Sequence, residues 1–551
     1  MKRYLMALAL AGALGAQDKP AQEAPKLGSI AGTVTQAGSG APMKDVEIWV
    51  NRNSPQPGHA GTDQQGQYVI RDVAPGQIRV SANAPDPSGR IGFGPNSTRL
   101  VTLAPGQDLT NVDFKLVIQG RITGKVVDQN KKPVVGVAVF LVVREYSYGA
   151  LRSVFAGAST TDDQGEYVLE RVQPERAYAV LAQKHWRILP AMSDEPANPE
   201  LRLSASVPTY HPNARSIDGA EMLVLRPGER RENVDIQLTR SASFCLDTKL
   251  GGTPGPRGIG FNIAETQPAS GRSGQGGFYT AAPHGNSNPD GTARICDLHP
   301  GEYELSVSEY TSGGPAGATQ FGSTIVTIGD RDVAGVRVAL RPKIPVKGEV
   351  VFDGPAPEPP LTAKLGVDLQ AITRTERASA QPTIPGEFDF GDGLVTDEFG
   401  LDISRVPASI YVKDVTYGDR SILYGTLQVG RAMGNAGLKI VLGRDGGTVS
   451  ARVADKDGNP TADCTVVVMP ATAPSEAVFA AMLITGKTDQ SGAWSTATLA
   501  PGKYFALASN DTIDRSPEMI SKLWKGRNRA EEVEIAPNGK ASVTLTPKAL
   551  E

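Results

Sequence analysis

The stretch that decides the fold is Thr62-Asp63-Gln64-Gln65-Gly66-Gln67-Tyr68-Val69-Ile70-Arg71-Asp72-Val73-Ala74-Pro75-Gly76. An aspartate followed three residues later by glycine is a chain-reversal signal. The carboxylate can accept from nearby backbone amides, and glycine can take positive φ. Tyr68 then opens a run whose alternate residues face opposite ways, as in a strand. Pro75-Gly76 suits a type II turn, and Gln77 to Ala82 reads as the next strand. The pattern returns as Thr161-Asp162-Asp163-Gln164-Gly165-Glu166-Tyr167 up to Pro174, with the strand Ala177 to Ala182 after it. It returns again as Thr488-Asp489-Gln490-Ser491-Gly492-Ala493-Trp494 through Pro501-Gly502, followed by Lys503 to Ala508. A looser copy runs from Asn288-Pro289-Asp290-Gly291 to Pro300-Gly301. The loosest runs from Phe399 to Pro407, followed by Ser409 to Val412.

Working outward, each copy has an opening strand, a polar turn with proline and a second strand before it. Gly28 to Val34 with Val46 to Val50, Gly120 to Val127 with Val137 to Leu141, and Thr448 to Val453 with Cys464 to Val468 are the examples. A closing hairpin follows, as in Val101 to Leu116, Leu223 to Leu238 and Val533 to Leu545. About seven short strands per unit of roughly 90–125 residues predict a β-sandwich. The expected fold is therefore all-β, a tandem array of about five seven-stranded sandwiches. The expected division is 27–117, 118–241 with long loops, 242–342, a degenerate unit at 343–443, and 444–549. Junctions fall directly after the closing strands, so neighbours should touch and form a semi-rigid rod or arc.

The chain has 551 residues, 40% of them hydrophobic and 21% charged. That length suggests about four or five domains. The 61 glycines and 41 prolines fit many short strands joined by tight turns. A net charge of −3 and the lack of a basic stripe argue against nucleic-acid binding. Lys2, Arg3 and the apolar run Tyr4 to Leu14 read as a signal peptide over 1–16, with 17–26 as a linker. Later apolar runs are too short to span a bilayer. An extracytoplasmic protein is expected, whether secreted, periplasmic or associated with the cell surface.

Gly-x-Val at the first strand, Thr-Asp-x-x-Gly-x-Tyr in the middle and the Ala-Pro-Gly turn resemble the carboxypeptidase regulatory-like domain. That domain is a transthyretin-like (Ig-like) sandwich related to carbohydrate-binding-like folds and to CnaB-type repeats. The resemblance is fullest over 27–117, 118–241 and 444–549. Val207 to Leu238 also resembles multi-domain exported proteins of this group from soil bacteria. The resemblance implies a secreted or envelope-associated accessory protein and does not imply peptidase activity, because the regulatory domain lacks the catalytic one. CnaB-like domains can carry a Lys–Glu–Asn isopeptide link. Here Lys125 and Glu170 sit on suitable strands, but the closing strand Val234 to Leu238 lacks the asparagine.

Signs of chemistry are few. A zinc peptidase needs three protein ligands and an open position. The one His-x-x-Glu, His299 to Glu302, lies inside the Pro-Gly turn where sister repeats have Ala74 and Ala500. No Gly-x-Ser-x-Gly elbow, P-loop or His-Glu-x-x-His is present. Asp455-Lys456-Asp457-Gly458-Asn459 lacks the glutamate of a calcium loop and aligns with strand-connecting turns. No enzyme and no cofactor is expected. Cys464 takes an inward strand position and reads as a buried thiol. Cys245 and Cys296 lie in one unit, both placed facing outward, and export permits a disulfide between them as an alternative to two separate thiols.

Binding residues concentrate on loops held by a rigid sandwich, and the second unit has the richest insertions. These are Arg144 to Phe155, and Lys184 to His211. Aromatic rings can stack on sugar faces, which makes Tyr146, Tyr148, Trp186, Tyr210 and His211 the candidate ligand residues. Trp49 and Trp494, in strands, read as core. The expected function is a secreted non-catalytic binding protein whose partner is polysaccharide or an envelope protein. The alternatives are a structural spacer that docks a partner protein, and an enzyme or enzyme accessory.

Overall fold

The structure is a computed structural model. It describes residues 26–550 apart from 38, 52–57, 84–96, 184–187, 190–204, 253–257, 266–283, 310–319, 359–360, 373–375, 392, 424 and 431–436. The contacts divide the chain into two compact units that part between Leu116 and Val117.

In the first unit, β1 (Gly28–Gln36) pairs antiparallel with β4 (Gln67–Val73) and parallel with β7 (Asp108–Leu109) and β8 (Phe114–Leu116). The facing sheet runs β3 (Gly58–Gly61), β2 (Glu47–Val50), β5 (Gly76–Asn83), β6 (Thr98–Leu103). Ile30, Val34, Ile48, Ile70, Val80 and Phe114 fill the space between the sheets.

The repeated motif now has a mechanical account. Asp63 accepts from the amides of Gln65 and Gln67 at 2.9 and 2.8 Å. Thr62 accepts from Val46 N and donates to Met43 O, which ties the turn to β2. Gly66 has φ 74°, and a Cβ there would lie 2.4 Å from Val34 O, so only glycine fits. The buried Tyr68 donates its hydroxyl to Val112 O at 2.6 Å. The sister copies reuse the parts. Asp162 accepts from Gln164 and Glu166, Tyr167 donates to Val234 O at 2.5 Å, and Asp489 accepts from Ser491 and Ala493. The Pro-Gly turns vary more than expected. Gly76 and Gly502 have φ 134° and 150°, but Gly301 does not take positive φ.

The second unit, from Val117 onward, begins with a sandwich built from β9 (Gly120–Val127), β10 (Ala138–Ser147), β11 (Ala150–Thr160), β12 (Glu166–Val172) and β13 (Ala177–Gln183). Residues 138–143 of β10 are all buried. One face of the β11-β10-β13 sheet meets the sandwich core. The other lies under Tyr210, Ala214 and Ile217. Burial on both faces explains an apolar run without alternation.

The next sandwich pairs Phe244–Leu250 with Thr292–Leu298, and Gly260–Glu265 with Gly301–Glu309. The sulfurs of Cys245 and Cys296 are bonded. Cys296 is 5% exposed, not solvent-facing as its register suggested. After it comes a complete sandwich despite its weak sequence pattern. Its sheets are built around Lys347–Phe352 with Leu438–Gly443, and Gly366–Ala371 with Asp397–Ser404. The last pairs Thr448–Val453 with Lys540–Leu545, and Thr465–Pro470 with Gly502–Ser509. Two helices, Glu476–Met482 and Pro517–Gly526, cover its outer face through Phe479, Ile520 and Leu523. Cys464 is fully buried, its thiol on Ser509 O. Among the described residues no helix is long and apolar enough to cross a membrane.

Candidate functional site

The expected loop at Arg144 to Phe155 is a hairpin. β10 and β11 pair from Ala138↔Thr160 to Ser147↔Ala150, with a one-residue bulge between Leu141↔Gly157 and Val142↔Phe155. Tyr148 and Gly149 turn the chain with φ 49° and 70°, the signature of a two-residue type I′ turn. The extra length carries its tip past its own sandwich and into two others.

On one side, Tyr146 N donates to Arg515 O at 2.8 Å. The Tyr146 ring packs against the cluster formed by Met469, Phe479, Ile520 and Leu523. Its phenol pKa is pushed up, first by burial and then by Glu476. On the other side, Arg152 is 8% exposed, and two of its guanidinium nitrogens donate to Ala371 O at 3.3 Å each. Its Nε reaches Ser147 O, and its charge lies 5.7 Å from the centre of the Tyr148 ring. Gly400 admits the tip, because a Cβ there would lie 2.0 Å from Tyr148 O. At the base of the joint, Arg176 bridges Glu145 at 2.5 Å and Asp514 at 3.5 Å. Thr512 donates to Glu175 at 3.2 Å.

Tyr146 and Tyr148 therefore stand in a joint between sandwiches, not on an open surface. Tyr210 is fully buried beneath the outer cluster of Phe140 and Leu181. Burial holds its phenol pKa far above the usual value, and its hydroxyl has no hydrogen-bond partner among the described residues. A ring buried this way offers no face to a sugar. His211 is 9% exposed, with Nδ1 2.6 Å from Asp235 O and Nε2 3.6 Å from Glu221. Arg144 reaches Asp218 at 2.8 Å and links the hairpin to the segment after His211. Trp186 lies outside the described residues. Sequence reading grouped these residues because long insertions resemble loops. It missed the joint because a longer hairpin and a longer loop have the same composition.

The rod expectation also changes for residues 117–551. The hairpin makes the second sandwich touch the fourth and fifth, so contact is not confined to neighbours.

Trp49 was expected in the core and is not there. Ile48 and Val50 face inward, so alternation sends Trp49 outward, half-buried. Its ring stacks on His59 at 4.8 Å with planes 17° apart, and its Nε1 donates to Glu47 at 3.2 Å. Ser81 pairs with Trp49 across the next strand, and its hydroxyl lies 3.4 Å from that of Thr98. The row His59, Trp49, Ser81, Thr98 is an aromatic pair continued by two hydroxyls. The signal was legible in the period of Val46-Glu47-Ile48-Trp49-Val50. Trp494 does pack at a core edge, its indole seated where a Cβ on Gly486 would lie 1.9 Å away.

His299 is tied to Glu265 and packs edge-on to Tyr303 at 5.8 Å. Among the described residues no group of three or more His, Cys, Asp or Glu could hold a metal ion. Asp455 accepts from Asp457 and Asn459 amides, as a turn does. Lys125 pairs with exposed Glu166 at 3.0 Å, and Glu170 lies near Arg121, so the two residues of the expected link have other partners.

Repeated Asp-Gly turns, paired sheets and a buried motif tyrosine define a class of protein, a tandem array of β-sandwiches. Within that class, residues 29–117 match the family model of the carboxypeptidase regulatory-like domain. A comparison with curated proteins found no match. The Bacillus anthracis TIE protein is 10% identical over 95% of this chain and 68% of its own, with a TM-score of 0.14. GBS52, the minor pilin of Streptococcus agalactiae, is 14% identical over 39% of this chain and 96% of its own, with a TM-score of 0.21. The full-length major pilin RrgB of Streptococcus pneumoniae is 8% identical over 95% of this chain and 100% of its own, with a TM-score of 0.20. Likeness at this level does not bear on function.

Proposed function

We propose that the chain is an exported, non-catalytic structural protein, in which residues 117–551 form a preformed scaffold of interlocked sandwiches. The observation that carries this reading is the β10–β11 hairpin. The insertion that looked most like a ligand loop is consumed by contacts to Ala371, Gly400 and Arg515. Buried polar contacts of this kind fix a relative orientation more than they add stability. The disulfide and the signal-like start support an extracytoplasmic setting. Replacing Glu145 to Arg152 by a two-residue Asn-Gly turn in the full chain, which keeps the Arg144–Ser153 pair as its flank, tests the reading. Calorimetry should then show the fourth and fifth sandwiches unfolding separately from the second. A variant that unfolds like the native chain would remove the scaffold role of the hairpin.

A second reading, polysaccharide binding, is favoured by one observation, the outward Trp49–His59 stack with its flanking hydroxyls. Pull-down on insoluble polysaccharides tests it. Binding that survives Trp49→Ala would place the ligand elsewhere.

A further inference from the structure

A pocket of about 450 Å³ opens where the third and fourth sandwiches meet. Arg337, Arg341 and Lys343 line it with Ser323, Thr324 and Thr396, and no carboxylate lines it. A larger cleft of about 730 Å³ on the fourth sandwich differs in charge. There Lys347 and Lys439 alternate with Glu349, Glu387, Asp389 and Asp419, and Lys439 is already paired with Glu349 at 3.0 Å. Only the smaller pocket presents one sign of charge.

Local backbone explains the cluster. Phe321 pairs with Arg341 at the sheet edge. A Cβ on Gly322 would lie 2.3 Å from Ala339 O, so glycine lets this strand close on the chain that carries both arginines. Lys343 is satisfied, since Glu376 meets its ammonium at 2.6 Å. The side chains of Arg337 and Arg341 are exposed to the pocket and make neither an ion pair nor a hydrogen bond among the described residues. Two guanidiniums without a counter-ion raise the local positive potential and draw anions. Their planar forks match an oxyanion better than a monatomic ion, and the three hydroxyls can complete its shell.

We propose that this pocket binds a tetrahedral oxyanion, a phosphate or sulfate group, either free or carried on a polymer. Because the lining comes from both sandwiches, a bound anion stabilises their junction by mass action.

The test uses the full chain. Inorganic phosphate and sulfate are titrated against chloride at matched ionic strength, with the unfolding temperature as readout. A saturable rise beyond the chloride control is expected. Arg337→Ala and Arg341→Ala should each weaken apparent affinity about tenfold, the loss of one charge-assisted hydrogen bond. Thr396→Asp, which puts a carboxylate into the lining, should abolish the effect without removing an arginine. Dextran sulfate against neutral dextran separates the sources. Tighter binding of the sulfated polymer, lost in the same variants, assigns a polymer-borne anion, and preference for the free ions assigns those. No saturable shift in the native chain, or unchanged affinity in both arginine variants, overturns the site.

Discussion

Arg152 donates from two guanidinium nitrogens to the carbonyl oxygen of Ala371, 219 residues away along the chain. The contact joins the tip of a hairpin in the second sandwich to a strand end in the fourth. It makes Arg152 a structural residue and gives the hairpin a mechanical role.

Arg152→Ala should destabilise the joint. Removing the guanidinium leaves a buried carbonyl with nothing in its place, at a cost of about 1–3 kcal/mol. Arg152→Lys should recover only part, because an ammonium cannot reproduce the planar fork. Denaturant unfolding of the three proteins checks the order native, lysine, alanine.

Gly400→Ala should act through the same joint by a different cause. The added methyl meets Tyr148 O, at 2.0 Å before any shift, so hairpin and strand must separate. A cost of about 1–3 kcal/mol is expected for such overpacking. Gly458→Ala is the contrast, since open space surrounds it and only its φ of 84° opposes a side chain. Its cost should be about 1 kcal/mol. Equal losses in the two variants would contradict the close approach.

Two tyrosines should respond oppositely to loss of the hydroxyl. Tyr167 donates to Val234 O, so Tyr167→Phe strands a buried acceptor and should cost about 1–3 kcal/mol. The Tyr210 hydroxyl has no hydrogen-bond partner among the described residues, so Tyr210→Phe should be neutral or stabilising. Unfolding temperatures measured side by side settle the comparison.

The bond between Cys245 and Cys296 spans 51 residues. Its loop-closure contribution is about 4 kcal/mol in the chain-entropy description. Reductant should lower the unfolding temperature of the third sandwich selectively, as read by hydrogen exchange. Peptide mapping without reductant should recover the cross-linked pair.

Asp402 supplies a pH test. Its carboxyl pKa is raised, first by desolvation and then by Asp368, with Arg515 opposing. Because the residue is exposed at the strand surface, solvent screening keeps the effect small. An acid with a raised folded pKa keeps its proton more readily when folded. It therefore costs stability once the pH climbs past the unfolded value, and costs nothing below it. Asp402→Asn should unfold at a higher temperature than the native chain near neutrality. That advantage should fade as the pH falls below the ordinary carboxylate range. A gain independent of pH would point to another cause.

Much of the fold was legible because its signals are local. Asp63, Gly66 and Tyr68 each act within a few residues or on the adjacent strand, and the sister copies repeat the same chemistry. His299 and Asp455 were correctly assigned to turns because alignment with sister repeats exposes positions that chemistry alone leaves ambiguous. The fourth sandwich was harder to read. Its core forms from Val346, Leu369, Phe399 and Ile440. The loose copy expected from Phe399 is instead part of the strand Asp397–Ser404, which pairs with Gly366–Ala371 and not with the opening strand Lys347–Phe352.

The sequence by itself determined the strand-and-turn grammar, because side-chain period and turn residues depend on near neighbours. The alternation of Val46 to Val50 also encodes an outward Trp49, contrary to the core position expected for a strand tryptophan. Only the tertiary structure decided that the insertion around Tyr146 and Arg152 is a clamp, that Tyr210 is sealed beneath Phe140, and that Arg337 and Arg341 share one pocket. Those relationships join residues far apart in the chain. What creates them is the packing of one sandwich against another, and no local pattern encodes that geometry.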